Sequence, residues 1–210
     1  MVTIAVFGGT GRTGRRVVNR ALEAGMNVRV LARNPAALGP ARDRLSVIAG
    51  DVLDPQAVNE TLAGADAVLS VFGHVKGSPP TLQTDGTRVI VDGMQRLGMK
   101  RIITLSGGGL RDEHDRPKAA DHVITFLLRT LAARVLADAE GHLQVLRESG
   151  LDWTVVRGPR LTERPGAGTY RLGWVGVGTG TQISRDDLAD FIVTQIDDKS
   201  FVHALPFVSA

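Results

Sequence analysis

Apolar and polar positions divide this chain into regular units. Residues 2–7 (VTIAVF) form an apolar, largely β-branched run that ends on Gly8. A helix is predicted from about Arg12 to Ala24, stopped at Gly25. Asn27 to Leu31 (NVRVL) predicts a second strand, Asn34-Pro35 a short helix or turn, and Ser46 to Ala49 a third strand closing on Gly50-Asp51. Asp54-Pro55 reads as an N-cap followed by proline at the first helical position, with that helix reaching Leu62. Asp66 to Phe72 (DAVLSVF) predicts a fourth strand, and residues 73–80 a loop. Thr81 to Leu97 reads as helical despite Gly86 and Gly93. Arg101 to Leu105 (RIITL) predicts a fifth strand with Ser106 at its carboxyl end, followed by a loop from Gly107 to Pro117. Helices are expected over about 119–133 and 135–149, and a sixth strand over Asp152 to Arg157. The tail predicts a glycine-rich stretch (166–180), a helix from Ser184 to about Ile196 and a short strand near 202–208.

Strand and helix alternate in nearly every unit, the pattern of parallel strands joined by crossover helices. The strands read as nearly continuous apolar runs, as strands covered on both faces do. The fold expected is α/β: a Rossmann-type doubly wound parallel sheet, one domain over 1–210. Residues of about 158–183 are expected to form a small C-terminal extension on the substrate side. The ligand crevice of such a sheet lies at the carboxyl ends of its strands.

The first crossover carries the chemistry. Gly9-Thr10-Gly11-Arg12-Thr13-Gly14 satisfies G-x-G-x-x-G, and Gly8, Gly11 and Gly14 satisfy the wider G-x-x-G-x-x-G spacing of extended short-chain dehydrogenases. The pattern directly follows a strand and opens a helix, the context that a dinucleotide loop requires. Its glycines admit a pyrophosphate close to the backbone, and the helix N-terminus presents free N–H groups to it. NAD sites place an acid at the end of the second strand, on the ribose 2′-hydroxyl. Here the strand ends Leu31-Ala32-Arg33. Arg33, with Arg12 in the loop, suits a 2′-phosphate, so NADP(H) is the expected cofactor. Asp51-Val52, after the third strand, would flank the adenine; Asp51 would accept from its amine or cap the next turn.

Composition narrows the setting. The 210 residues are 43% hydrophobic and 22% charged, ordinary for a globular domain. With no cysteine there is no disulfide and no thiolate metal site. The net charge is +3 and its arginines are scattered, without the clustering that a nucleic-acid surface needs. No apolar run approaches the roughly 20 residues of a membrane span, and the N-terminal run lacks a basic leader and cleavage site. A cytoplasmic protein acting on a small molecule, as monomer or homodimer, is expected, without nucleic-acid or membrane partners.

By its glycine loop (Phe7 to Gly14), Gly50-Asp51-Val52-Leu53, the run Val145 to Arg157, Gly158-Pro159-Arg160-Leu161-Thr162 and Ile183 to Phe191, the sequence resembles an atypical short-chain dehydrogenase/reductase. More narrowly it is similar to the NAD(P)H-binding group around biliverdin reductase B, or flavin reductase, and its NmrA-like bacterial relatives. The resemblance implies NADPH, with the nicotinamide near Val71, Phe72, Gly73 and His74 after the fourth strand and near Ser106. It also implies a bulky, planar, electron-accepting substrate: a flavin, a quinone or a linear tetrapyrrole. Pro159 and Arg160 follow the sixth strand, close to the crevice. Biliverdin reductase B has histidine at the Arg160 place, which puts a tetrapyrrole in doubt. Arginine there would favour a carboxylate or phosphate, on the ligand or on the cofactor itself. Leu143 stands where many relatives carry an acid or histidine.

Residue counting excludes the usual reductase chemistry. The one tyrosine, Tyr170, is followed four residues later by Trp174, so no Tyr-x-x-x-Lys dyad exists. Ser106 is the candidate catalytic group, able to orient a carboxamide, a substrate carbonyl or a water, or simply to satisfy backbone groups. His74 faces the nicotinamide or is a surface loop residue; His114, His122 and His142 show no metal-ligand spacing. Trp153 reads as core, and Trp174 as a stacking or packing ring. The function expected is an NADPH-dependent reductase of a planar conjugated substrate. An NmrA-type NADP(H) sensor and a tailoring reductase or isomerase of secondary metabolism are the alternatives. Residues 119–137 would form a dimer interface or line the pocket.

Overall fold

Six strands lie side by side in the computed structural model, which describes residues 1–117 and 132–210. They are β1 (Thr3–Phe7), β2 (Asn27–Ala32), β3 (Leu45–Ala49), β4 (Ala67–Ser70), β5 (Arg101–Gly107) and β6 (Asp152–Gly158). Their order is β3-β2-β1-β4-β5-β6 and every pairing among them is parallel. The connecting helices are α1 (Arg12–Glu23), α2 (Pro55–Leu62), α3 (Leu82–Arg96) and α4 (Ala133–Glu148), with α5 (Arg185–Thr194) after β6. The predicted helix over 119–133 falls, but for its last two residues, outside the described residues, as does His122.

Side-chain alternation sends each strand's residues to two layers. Ala5 and Phe7 join Leu62, Ile90, Met94 and Leu146 on one face, while Ile4 and Val6 join Val17, Val18, Leu188 and Ile192 on the other. Burial of each such Leu, Ile or Phe contributes roughly 1.5–3 kcal/mol. Gly86 and Gly93, anomalous in a helix, sit where α3 is pressed against Phe72 and Leu62 and a Cβ would collide. The chain builds β2 and β3 on one side of β1, then crosses to build β4, β5 and β6 on the other. This doubly wound order puts the topological switch between β1 and β4.

The tail departs from the sequence expectation. The stretch read only as glycine-rich (166–180) holds a strand, β8 (Arg171–Gly173), which runs antiparallel at the sheet edge. It is flanked by two unexpected short strands, β7 (Arg160–Thr162) and β9 (Gln182–Ser184), which pair in parallel. The last strand, β10, is Phe207–Ser209 and lies between β6 and β8. Strands of three residues carry no readable period, and their partners are distant in sequence. Among the described residues, no helix is long and apolar enough to cross a membrane.

Candidate functional site

The glycine loop occupies the switch point. Gly8 has φ +87°, and a Cβ on it would strike the backbone of Val71 and Phe72. Gly11 N–H donates to the Gly8 carbonyl at 3.0 Å, closing the turn, and a Cβ on Gly14 would collide with that same carbonyl oxygen. The loop is thereby folded under the first turn of α1. Gly11 is the N-cap and offers no side-chain acceptor, and the first turn carries no acid. The first intrahelical bond runs from Arg15 N–H to the Gly11 carbonyl. Ahead of it, the N–H groups of Arg12, Thr13 and Gly14 are left by helix geometry for an anion.

The two arginines expected at a 2′-phosphate have separate partners. Arg33 Nε stands 4.0 Å from Asp51 Oδ2, both side chains well exposed. Asp51 Oδ1 accepts from Leu53 N–H at 2.9 Å, so it caps the turn after β3. Arg12 is instead paired with Glu163 at 3.3 Å, a carboxylate that Arg16 and Arg185 also reach, at 3.0 and 2.8 Å. Together they hold that carboxyl below its usual range, the Arg185 hydrogen bond most of all. Thr13 is buried, and its hydroxyl accepts from Arg185 Nη1 at 2.8 Å, so its side chain serves the α1–α5 packing. Thr10 lends its carbonyl to Arg15 Nε at 3.0 Å.

A cavity of about 440 Å³ opens at the carboxyl ends of β5 and β6. Of the expected site, Ser106, Pro159 and Arg160 line it, with Gly107 to Leu110 on one wall and Val175 and Phe207 on another. Ser106 lies within β5, opposite Arg157 of β6, one position inside the strand's end. Its hydroxyl is buried and has no hydrogen-bond partner among the described residues. Residues 71–73 form the loop beyond β4, which stops at Ser70. Tyr170 is remote from this chemistry: its hydroxyl reaches Asp190 at 3.4 Å and its ring packs edge-on against Phe191. The ring of Trp174 packs against His114, at 5.0 Å between centroids, and does not line the cavity.

A free first turn at a switch-point glycine loop, with a cavity further along the same carboxyl edge of the sheet, is the geometry of a dinucleotide site. The sequence matches the family described as NAD(P)H-binding over residues 8–199. The chain belongs to the NAD(P)H-binding family. The resemblance to atypical short-chain dehydrogenases/reductases agrees with it. A (4-alkanoyl-5-oxo-2,5-dihydrofuran-3-yl)methyl phosphate reductase of Streptomyces griseus is 32% identical over 154 residues, which are 73% of this chain and 46% of that one. The chain thus spans less than half of that enzyme's length. A short-chain dehydrogenase/reductase of Veillonella parvula, solved in complex with NADP, shares the fold at TM-score 0.80 and 20% identity, over 100% of this chain and 94% of its own. ChuY of Escherichia coli O157:H7, an anaerobillin reductase, does so at TM-score 0.78 and 16% identity, over 99% and 97%. The family's cofactor, NAD(P)(H), is the one expected from the loop.

Other family members' motifs did not foretell the polar network behind this member's cavity. His74 is neither a free surface group nor turned to the cavity: its Nε2 donates to the buried Asp138 Oδ2 at 2.7 Å. The same carboxylate accepts from Gln83 N–H at 2.7 Å and Thr84 N–H at 2.9 Å, capping α3 from across the α3–α4 interface. Burial opposes its charge, but these bonds hold the Asp138 carboxyl below the usual range. One turn further along α4, His142 bridges the hydroxyls of Thr87 (2.8 Å) and Thr104 (3.1 Å). No sequence signal distinguishes His142 from a surface histidine; only the fold puts two threonines on it.

Burial pushes the His142 imidazole down to about 4 from 6.5, against a raising effect of Asp138. A group that stays neutral in the fold but takes a proton when unfolded destabilises the fold in acid. Stability is therefore full above pH 6.5 and falls as the pH drops toward 4, by at most about 3 kcal/mol. Urea unfolding at pH 7.5 and pH 4.5 tests this. His142→Gln should lose much of the difference between the two pH values; a slope unchanged by the substitution would assign the acid sensitivity elsewhere.

Proposed function

We propose that this chain is an NADPH-dependent reductase of a planar, conjugated acceptor: a flavin, a quinone or a tetrapyrrole-like molecule. The observation that carries it is the cavity on the same carboxyl edge of the sheet as the glycine loop, apolar on most of its walls, with one buried hydroxyl at its base that has no partner among the described residues. Flat glycine backbone at Gly107 to Gly109 and the apolar side chains of Leu110, Leu136 and Phe207 suit a ring system more than a sugar or a peptide. By name, relatives on this scaffold reduce a furanone phosphate and an anaerobillin.

The roles follow from chemistry. The N–H groups of the α1 first turn, with Gly8, Thr10, Gly11, Arg12 and Thr13, hold the pyrophosphate. Arg33 takes the 2′-phosphate, while Asp51 and Val52 flank the adenine. Val71, Phe72 and Gly73 border the nicotinamide. When bound, NADPH supplies a hydride. Ser106 donates to a carbonyl and so fixes the reacting face, and the segment of about 158–183 closes the substrate side through Pro159, Arg160 and Val175. Among the described residues no side-chain acid lines the cavity, and the proton comes from water or from the acceptor.

Steady-state oxidation of NADPH and NADH with FMN, riboflavin and quinones tests both cofactor and class. NADPH should be preferred, and Arg33→Asp should raise its KM about 10- to 100-fold by setting a second carboxylate beside Asp51, with little change for NADH. An NADPH preference that survives Arg33→Asp sinks the assignment of the 2′-phosphate. Tight NADPH binding with no turnover of any acceptor would instead make the chain a dinucleotide-reading regulator.

A further inference from the structure

The described lining of the cavity carries a single formal charge. Among its described lining residues Arg160 alone is ionised, and no carboxylate among the described residues pairs with it. The nearby acids are committed elsewhere. Glu163, three residues on, is shared by Arg12, Arg16 and Arg185. Asp115, close behind the cavity wall, is locked in two bonds of 2.8 and 2.9 Å to Arg157. Asp187 accepts from Ala167 and Gly168 N–H and from the Ser184 hydroxyl. Among the described residues Arg160 is thus an unbalanced cation at the mouth of an apolar pocket. Its backbone is set by Pro159 and by the pairing of β7 with β9, opposite Gln182. At the base, the Ser106 hydroxyl, nine-tenths buried, lacks a partner among the described residues.

We propose that the substrate is an anionic one: a planar apolar body carrying one carboxylate or phosphate, which Arg160 binds at the mouth while Ser106 meets a ring carbonyl at the base. This rests on the reductase function above and narrows its substrate class. Guanidinium is suited to such a group because it donates two parallel N–H bonds to it. An uncharged acceptor of the same shape leaves the guanidinium to water and forgoes that interaction.

Two matched pairs test it: FMN against riboflavin, and anthraquinone-2-carboxylate against anthraquinone. Dissociation constants are read by ligand fluorescence on the NADP⁺-loaded protein, and KM and kcat in turnover. The charged member of each pair should bind about 10- to 100-fold tighter. Arg160→Gln should bring each ratio close to one by weakening the charged member only. The change should appear in KM and leave kcat and the Kd for NADPH within about twofold. Arg160 is exposed, so the variant should keep its melting temperature. Ratios near one in the parent protein overturn the anionic substrate while sparing the reductase. A rise in the NADPH Kd equal to that for the charged acceptor would hand Arg160 to the cofactor and overturn it as well. Failure of every planar acceptor to bind overturns the planar-substrate class and this inference with it.

Discussion

Asp115→Ala is expected to destabilise the protein by about 3–5 kcal/mol, a large part of the stability of a domain this size. The reason lies in Arg157, whose side chain is completely buried although it stands in the sixth strand. Asp115 engages it with both oxygens, while the carbonyls of Leu110 and Leu205 take further guanidinium N–H groups at 2.8 Å. The carboxylate also accepts from the N–H groups of Asp112 at 2.9 Å and Val175 at 3.0 Å. Burial works against its charge, but the bonds from Arg157, Asp112 and Val175 hold the carboxyl below the usual carboxylate range. Removing the acid leaves a guanidinium in the interior with its charge uncompensated. The pair also ties the 107–117 loop, which supplies one wall of the cavity, to β6 and to the segment beyond β8. Urea denaturation gives the magnitude. Pairing Asp115→Leu with Arg157→Met should recover much of the loss, because no bare charge then remains; a double variant as unstable as Asp115→Ala would contradict this account.

Gly14→Ala is the second change expected to have a large effect, and it should act on both fold and ligand. Its Cβ would enter the space of the Gly8 carbonyl oxygen, and Gly8 cannot yield because it rests against the backbone of Val71 and Phe72. Overpacking of this kind destabilises by about 1–3 kcal/mol, and the loop that shifts is the one proposed to receive the pyrophosphate. NADPH affinity should fall about 100-fold or more, the loss of several backbone hydrogen bonds to an ionised group. Gly11→Ala separates the two effects. Gly11 has φ −70°, and a Cβ there meets only the Gly8 oxygen at 3.3 Å. That variant should melt close to the parent temperature yet bind NADPH weakly, because it adds a methyl at the N-cap of α1, in the loop proposed to hold the pyrophosphate. Isothermal titration and thermal melting read both variants. Unchanged NADPH binding in Gly14→Ala would remove this loop from the cofactor site.

These two sites differ in how far the sequence disclosed them. The loop was legible because everything it needs is local: an apolar strand, glycines at fixed spacing and a helix start within a dozen residues. The same holds for α2, where Asp54 and Pro55 mark the first turn and Asp54 Oδ1 caps Gln56 N–H at 2.9 Å. That the central strands run parallel follows from the alternation of strand and helix. By contrast, Arg157 stood in the sequence as the last residue of an apolar run, with no sign that an acid 42 residues earlier would neutralise it.

The sequence by itself determined the α/β class, the parallel core, the dinucleotide loop and the absence of a tyrosine–lysine dyad, because each depends on residue identity or short-range spacing. Tertiary structure alone decided which polar groups are spent and which are free. It gave Glu163 to three arginines, Asp138 to His74 and the start of α3, and Asp115 to Arg157. It left Arg160 and the Ser106 hydroxyl facing one cavity. A side chain's partner across the fold is set by how distant elements pack, and no period or motif along the chain records that.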